Sequence, residues 1–405
     1  MRAMNKRAKV VIGANYGDEG KGLMTDYHGA QAGSDCIVAR FNGGAQAGHT
    51  VVAPDGTRHV FSHIGSGALG GAATFLSRDF ACHPQLFLKE AGLLRDLTAL
   101  EPRIFIDDRA PVTTPYDMLI NQLMEKQRGE ARHGSCGVGF GETVERNLDA
   151  AFAITAGDLR KGDGFLLHRL DAIRRQYLPK RMAALGAGSL SDEARDLILA
   201  DALMEDFVAS AMQFAAATTL ARPALLAGYR EVVMEGAQGL LLDEERGAFP
   251  HVTRSHTGIR NALALAHEAG IGALDITYCS RAYLTRHGAG ALAGELPAAP
   301  YHGIRDDTNI RNEFQGALRF AHLDLDLLAS SVRTDLGDAS GSGIDTSLNL
   351  AVTCLDQVDD KLSYYADHRL HQATPAAFLH AAQAHLAPAA LYASYGPTRT
   401  DVRLA

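Results

Sequence analysis

Short apolar runs, rich in β-branched or small residues and ending at glycine or a polar side chain, recur along this chain and limit its folds most strongly. They are Lys9–Ala14, Cys36–Phe41, Arg103–Asp107, Glu231–Met234, Ile276–Thr285 and Leu348–Leu355. Near-continuous hydrophobicity means that both faces of each strand are covered, as in a parallel sheet between helices. The expected class is therefore α/β: a mostly parallel central sheet flanked by helices, in one domain over residues 1–405. Residues 115–128 and roughly 155–222 carry Leu, Ala, Arg, Glu and Met at helical spacing, and predict a helical insertion over about 115–228. Within it, Ser191 is placed to cap a helix beginning at Asp192. Gly288–Pro300 reads as a flexible loop. Open α/β sheets bind ligands beyond the carboxyl ends of their strands, where the glycine-rich segments fall.

With 39 basic and 47 acidic residues the net charge is −8, so no global basic field exists to hold nucleic acid or an anionic membrane. Any phosphate must be held locally, by backbone N–H groups and a few placed cations. The cysteines, Cys36, Cys82, Cys136, Cys279 and Cys354, form no C-x-x-C pair or metal-ligand spacing, a usage that suits a reducing, cytoplasmic setting. The basic start runs directly into a strand, without a signal peptide's apolar region. No apolar run reaches the roughly 20 residues of a membrane span.

Two loops carry most of the chemistry. The first strand opens into Gly13-Ala14-Asn15-Tyr16-Gly17-Asp18-Glu19-Gly20-Lys21-Gly22. Glycines let amides approach phosphate oxygens, and a helix starting at the lysine adds a favourable dipole. The loop is not a Walker A sequence, which needs glycine at Asn15 and Ser or Thr at Gly22. A carboxylate here repels phosphate unless a cation intervenes or the group moves protons, so Asp18 is the candidate acid–base residue. The bland alternative is a tight turn with solvated acids. The second loop, Asn42-Gly43-Gly44-Ala45-Gln46-Ala47-Gly48-His49-Thr50, sets a lone histidine among glycines. His49 is a candidate phosphate-facing donor or general acid, or else a surface loop histidine.

Together these loops resemble the adenylosuccinate synthetase family, which joins aspartate to the purine 6-position at the expense of GTP. Tyr16–Gly22 is similar to the family's W-G-D-E-G-K-G, and Gly43–Thr50 to G-G-x-N-A-G-H-T. Met234–Asp243, Phe249–Thr253, Thr285–Gly290, Gly134–Gly141 and Ser394–Thr400 resemble later family segments in the family's order. The resemblance implies that Asp18 takes the purine N1 proton while O6 attacks the γ-phosphate, helped by Lys21, His49 and Gln238. It implies triphosphate contacts from Gly17, Gly20, Lys21, Gly22, Gly48, His49, Thr50, Asp356, Ser394 and Gly396. It implies purine monophosphate contacts from Gln46, Ser135, Cys136, Arg146, Gln238 and Thr253. Mg²⁺ is implied as cofactor, with Asp18 and the Gly48 carbonyl as ligands. A homodimer is implied too, with Arg146 the candidate to cross to the partner's nucleotide.

Several departures touch substrate identity. The family's arginine-rich aspartate loop is replaced by Asn312-Glu313-Phe314-Gln315-Gly316-Ala317-Leu318-Arg319-Phe320, leaving Arg319 to hold a carboxylate, with Arg311, Arg305 and His302 nearby. Thr353-Cys354-Leu355-Asp356 keeps the guanine-reading aspartate of T-K-L-D but lacks its lysine, so GTP is the default donor and ATP the alternative. Gln46, Cys136 and Val138 reshape the monophosphate pocket and suit GMP or dGMP about as readily as IMP. Two other readings stand beside the ligase: a ligase or kinase on this scaffold with a different acceptor or amine, and a silent nucleotide-binding regulator. Asp18, Lys21 and His49 retained together argue against the last.

Overall fold

The computed structural model describes residues 6–99, 101–129, 134–188, 190–306 and 317–405. A ten-stranded sheet runs through the molecule in the spatial order Val402–Leu404, Ala390–Ser394, Asp345–Thr353, Ala273–Arg281, Arg7–Gly13, Glu231–Gly239, Cys36–Arg40, Ala73–Leu76, Ile104–Ile106, Thr219–Leu220. Every neighbouring pair is parallel except the last two strands of the chain, which pair antiparallel at one edge. Arg7–Gly13 lies inside the sheet, and Val10, Val11 and Ile12 are completely buried. The apolar runs therefore do what their continuity implies: covered on both faces, they cannot alternate with polar residues.

The run over 276–285 breaks in two. Ala273–Arg281 stays in the large sheet, whereas Tyr283–Arg286 turns into a smaller sheet, antiparallel to Arg319–Asp324. The Ala282 amide donates to the Thr353 carbonyl at 3.0 Å, which pins the bend between the sheets. Hydropathy has no term for a change of partner. Asp345–Thr353 also stops short of the apolar run that predicted it, because Cys354 takes a left-handed φ of 60° and ends the strand.

Between the strands Ile104–Ile106 and Glu231–Gly239 the chain is mainly helical, with Pro115–Arg128, Phe140–Asn147, Asp163–Ala172, Leu178–Ala184, Asp192–Leu199 and Asp201–Ala217 as its α-helices. Thr114 caps the first through a capping box with Asp117, and Ser191 caps the Asp192 helix by accepting from the Ala194 amide at 3.2 Å. These helices bury Ile120, Leu166, Phe207 and Phe214 in a core distinct from the one along the central strands. Gly288–Pro300 is more constrained than a flexible loop. Arg286 donates to the carbonyls of Ala289 (3.1 Å) and Ala291 (2.7 Å), and Arg319 to those of Gly288 (3.1 Å) and Gly290 (2.8 Å). No described helix is long and apolar enough to cross a membrane.

Candidate active site

The central strand ends at Gly13, and the segment beyond it leads into the helix Lys21–Gly29. Gly17 has φ 112°, a conformation that side-chain-bearing residues rarely adopt, and a Cβ there would lie 3.1 Å from the Gln238 Cα. Gly22 is needed for proximity instead: a Cβ would stand 2.8 Å from the Thr50 carbonyl, so the helix start and the His49–Val52 strand interlock only without a side chain. Lys21 is buried and its ammonium donates to the Gly17 carbonyl. Glu19 folds beneath the loop and accepts from the Gly17 amide at 2.8 Å, while burial pushes its carboxyl up to about 7.

His49 is buried against Glu235, with its Nδ1 2.6 Å from the carboxylate. Glu235 also accepts from the Ser66 amide at 3.0 Å and the Ser66 hydroxyl, with Arg40 3.9 Å away. Burial lowers the His49 imidazole to about 4, outweighing the opposite pull of Glu235. Burial works against ionisation of Glu235, but His49, Arg40 and Ser66 more than offset it and hold the carboxyl below its usual range. The carboxylate form of Glu235 is thus favoured, and burial opposes charging of His49. A Glu235-bound Nδ1–H leaves Nε2 for a ligand. An arriving polyanion favours the imidazolium and restores a donor at Nε2.

Asp18, Lys21 and His49 line one cavity of about 650 Å³, together with Gly17, Gly20, Gly22, Gly48, Thr50, Asp356 and Gly396. Arg58, Arg281 and Arg305 add cationic character to its wall. Arg281 donates through Nε to the Asp18 carbonyl and through an η nitrogen to Asp306 at 2.9 Å, so it braces the loop on which Asp18 stands. Among the described residues no donor or cation holds the Asp18 carboxylate itself in a hydrogen bond or ion pair. Ser394 lies just behind this wall: its hydroxyl donates to the Gly396 carbonyl at 2.8 Å, shaping the loop from underneath.

A second cavity of about 290 Å³ is lined by Gln46, Ser135, Cys136, Gln238 and Thr253, with Glu125, Arg128, Arg254 and Arg286 around them. Gly17 of the first cavity backs on to Gln238 of the second, a non-glycine residue at φ 64°. Such a backbone costs of order 1–3 kcal/mol and is typical of ligand-gripping positions. Both polar atoms of the Gln46 amide are buried without a hydrogen-bond partner among the described residues.

Two expected residues are placed differently. Arg146 is completely buried and bound to Asp117 at 2.8 Å, the Val112 carbonyl at 2.7 Å and the Phe152 carbonyl at 2.7 Å. A guanidinium spent inside its own subunit cannot reach a nucleotide in another, so Arg146 is a structural residue and not the crossing one. Arg319 lines neither cavity, and its guanidinium is committed to Glu295, with Nε–O 2.8 Å. It does not present a free fork to a substrate carboxylate. Arg305 faces the larger cavity and His302 lies in solvent, while Arg311 and residues 312–316 fall outside the described residues. Glu235 and Arg281 escaped the sequence reading, although each is a single charge at the end of or within an otherwise apolar run. A buried charge is tolerated only when paired, and that signal could have found both.

A phosphate-cradling loop at a strand's carboxyl end, a buried His–Glu pair and a second polar cavity define a nucleotide-binding α/β enzyme. Residues 10–341 match the adenylosuccinate synthetase family. Adenylosuccinate synthetase of Mesoplasma florum is 31% identical over 361 residues, covering 88% of this chain and 78% of the relative. That of Xanthomonas oryzae is 34% identical over 310 residues, 73% of this chain and 67% of the relative. The fold matches fully ligated adenylosuccinate synthetase from Plasmodium falciparum, with TM-score 0.72, 17% identity and coverage of 99% and 100% of the two chains. It also matches cyanophage S-2L succinoaminodeoxyadenylate synthetase, bound to dGMP and dATP, with TM-score 0.58, 17% identity and coverage of 98% and 95%. The chain belongs to the adenylosuccinate synthetase family and is a purine-nucleotide ligase of that type.

Proposed function

We propose that this enzyme uses GTP to phosphorylate the 6-oxygen of a purine nucleoside monophosphate, IMP or its analogues GMP and dGMP, and then joins aspartate to C6. The convergence of Asp18, Lys21 and His49 on one cavity supports this reading, with Gly17 and Gln238 linking it to the cavity assigned to the monophosphate. O6 of a purine is a poor nucleophile until N1 loses its proton. Asp18 takes that proton as general base, a role worth about 10²–10⁴-fold. Lys21 and the amides of Gly20 and Gly22 hold the phosphates, and His49 stabilises charge on the transferring group. Gln238 and Thr253 orient the purine nucleotide, and Asp356 reads guanine at the mouth of the larger cavity. The 6-phosphate then leaves as the amine attacks C6.

Mg²⁺ suits this site, because Asp18 lines the cavity with its carboxylate unclaimed by any described donor and Gly48, also in the lining, offers a carbonyl, both hard oxygen ligands. When bound, the ion neutralises phosphate charge that would otherwise be repelled by Asp18. A homodimer in the cytoplasm completes the proposal; Arg146 is not its crossing residue.

Phosphate release tests the reaction directly. With Mg²⁺, GTP or ATP is paired with IMP, GMP or dGMP, with and without aspartate, and one combination should release phosphate only when aspartate is present. Release without aspartate would replace the ligase by a kinase or by another amine, a reading that the commitment of Arg319 to Glu295 keeps specific. No turnover with any pair would refute catalysis.

A further inference from the structure

One carboxylate in the smaller cavity occupies a place built for an anion. Glu125 sits near the end of the helix Pro115–Arg128, its side chain only 1% exposed. It accepts from two consecutive amides of the glycine-rich segment, Gly134 at 3.0 Å and Ser135 at 3.2 Å, and pairs with the Arg128 guanidinium at 2.6 Å. All four residues line the cavity, beside Cys136 and Thr253. Adjacent backbone amides with a guanidinium are the donor set expected around a phosphate. Here a side chain of the protein itself fills it.

We propose that Glu125 is a built-in occupant of the monophosphate subsite, displaced when a purine nucleoside 5′-monophosphate binds, and that Arg128 is the cation which then meets the phosphate. The inference deepens the function proposed above and rests on its assignment of this cavity. Arg146 supplies no cation here, because it is spent on Asp117 inside the fold, whereas Arg128 already lies against the carboxylate that these amides hold. Arg128 remains partly exposed at 28% and needs only to exchange one anionic partner for another. The exchange leaves the two amides and the guanidinium with an anionic partner throughout: a phosphate arrives at them, and the carboxylate swings out to water. Part of the intrinsic affinity for phosphate is then used to expel the carboxylate, while a ligand without the phosphate leaves Glu125 in place. Asn121, which accepts from the Ser135 hydroxyl at 2.8 Å, and Gln122, which donates to the Gly137 carbonyl at 3.0 Å, hold the loop without Glu125.

Equilibrium binding separates this role from that of a loop anchor. Affinities for dGMP, GMP and IMP, and for the matching nucleosides, are measured by calorimetry on the full chain and on Glu125→Gln and Arg128→Gln. Glu125→Gln should bind at least one monophosphate about tenfold more tightly with nucleoside affinity unchanged, and Arg128→Gln about tenfold more weakly with nucleoside affinity unchanged. Weaker or unchanged monophosphate binding by a folded Glu125→Gln protein overturns the proposal, as does an Arg128→Gln loss shared equally by nucleosides. If Glu125→Gln does not fold, the Arg128→Gln comparison decides alone. Failure of all three proteins to bind any monophosphate also overturns it. Selective monophosphate binding without turnover would sink the ligase reaction and leave this inference standing.

Discussion

Replacing Asp18 by asparagine keeps the size of the side chain and removes its charge, and with it both its basicity and its hold on Mg²⁺. Turnover should fall by about 10²-fold or more while GTP affinity measured without Mg²⁺ stays within a few-fold, because the amides and Lys21 that hold phosphate are untouched. Unchanged turnover would remove Asp18 from the chemistry. Glu235 acts one residue further back, on His49. Glu235→Gln should lower kcat by about 10²-fold with little change in KM for GTP, since the neutral partner no longer stabilises the imidazolium; a KM effect alone would make the pair a binding device. A residue outside both cavities gives a pH dependence. His28 is buried between Tyr27 and Tyr392, with a ring nitrogen 3.3 Å from the Thr277 hydroxyl, and burial lowers its imidazole to about 3. A histidine lowered in the folded state supports stability above its unfolded value near 6.5, and that support is lost as pH falls from there towards 3. Going from pH 7 to pH 5 should therefore cost about 2 kcal/mol that a His28→Gln variant does not lose, read from denaturant midpoints at the two pH values.

The packing of loop on loop is a property of elements, and Gly22 tests it. A methyl at this position meets the Thr50 carbonyl of an adjoining strand, a backbone group that cannot swing aside. Gly22→Ala should cost about 1–3 kcal/mol by overpacking and weaken GTP binding as the His49 strand shifts away from the loop. A variant as stable and as tight as the parent would show that the two segments are not interlocked. At this scale the sequence was legible where local chemistry repeats itself. Glycines next to Lys21 and His49 announce close backbone approach, and long helices such as Pro115–Arg128 announce themselves by spacing and caps. It was opaque where partners decide. The bend at Ala282 depends on a distant Thr353 carbonyl, and the four-residue strand Ala73–Leu76 is too short to rise above its loops. Whether Arg146 serves a substrate or Asp117 cannot be read from an arginine in a helix, because both uses require a charge at the same spacing.

Across the whole molecule, the two cavities sit differently with respect to the core along the central strands and the core among the helices. The larger is framed by loops at the carboxyl ends of central strands, which share the sheet core. The smaller lies where the helix Pro115–Arg128, rooted in the helical core through Tyr116, Ile120 and Met124, and the helix Phe140–Asn147 face Gln238, Thr253 and Arg286 from the sheet side. A ligand in the smaller cavity therefore ties the helical layer to the sheet, whereas GTP alone closes loops within the sheet layer. Binding to the folded state raises the free energy of opening by RT ln(1 + [L]/Kd), about 2.7 kcal/mol at a hundredfold excess over Kd. Amide hydrogen exchange resolves where that protection falls. GTP with Mg²⁺ should protect Lys21–Gly29 and leave Pro115–Arg128 near its unliganded rate. The purine monophosphate should slow exchange in Pro115–Arg128 and Phe140–Asn147 as well as around Gln238, because opening either side then breaks the same contacts. Equal protection of both regions by GTP alone would mean that the cores already open as one unit and that the monophosphate stitches nothing together.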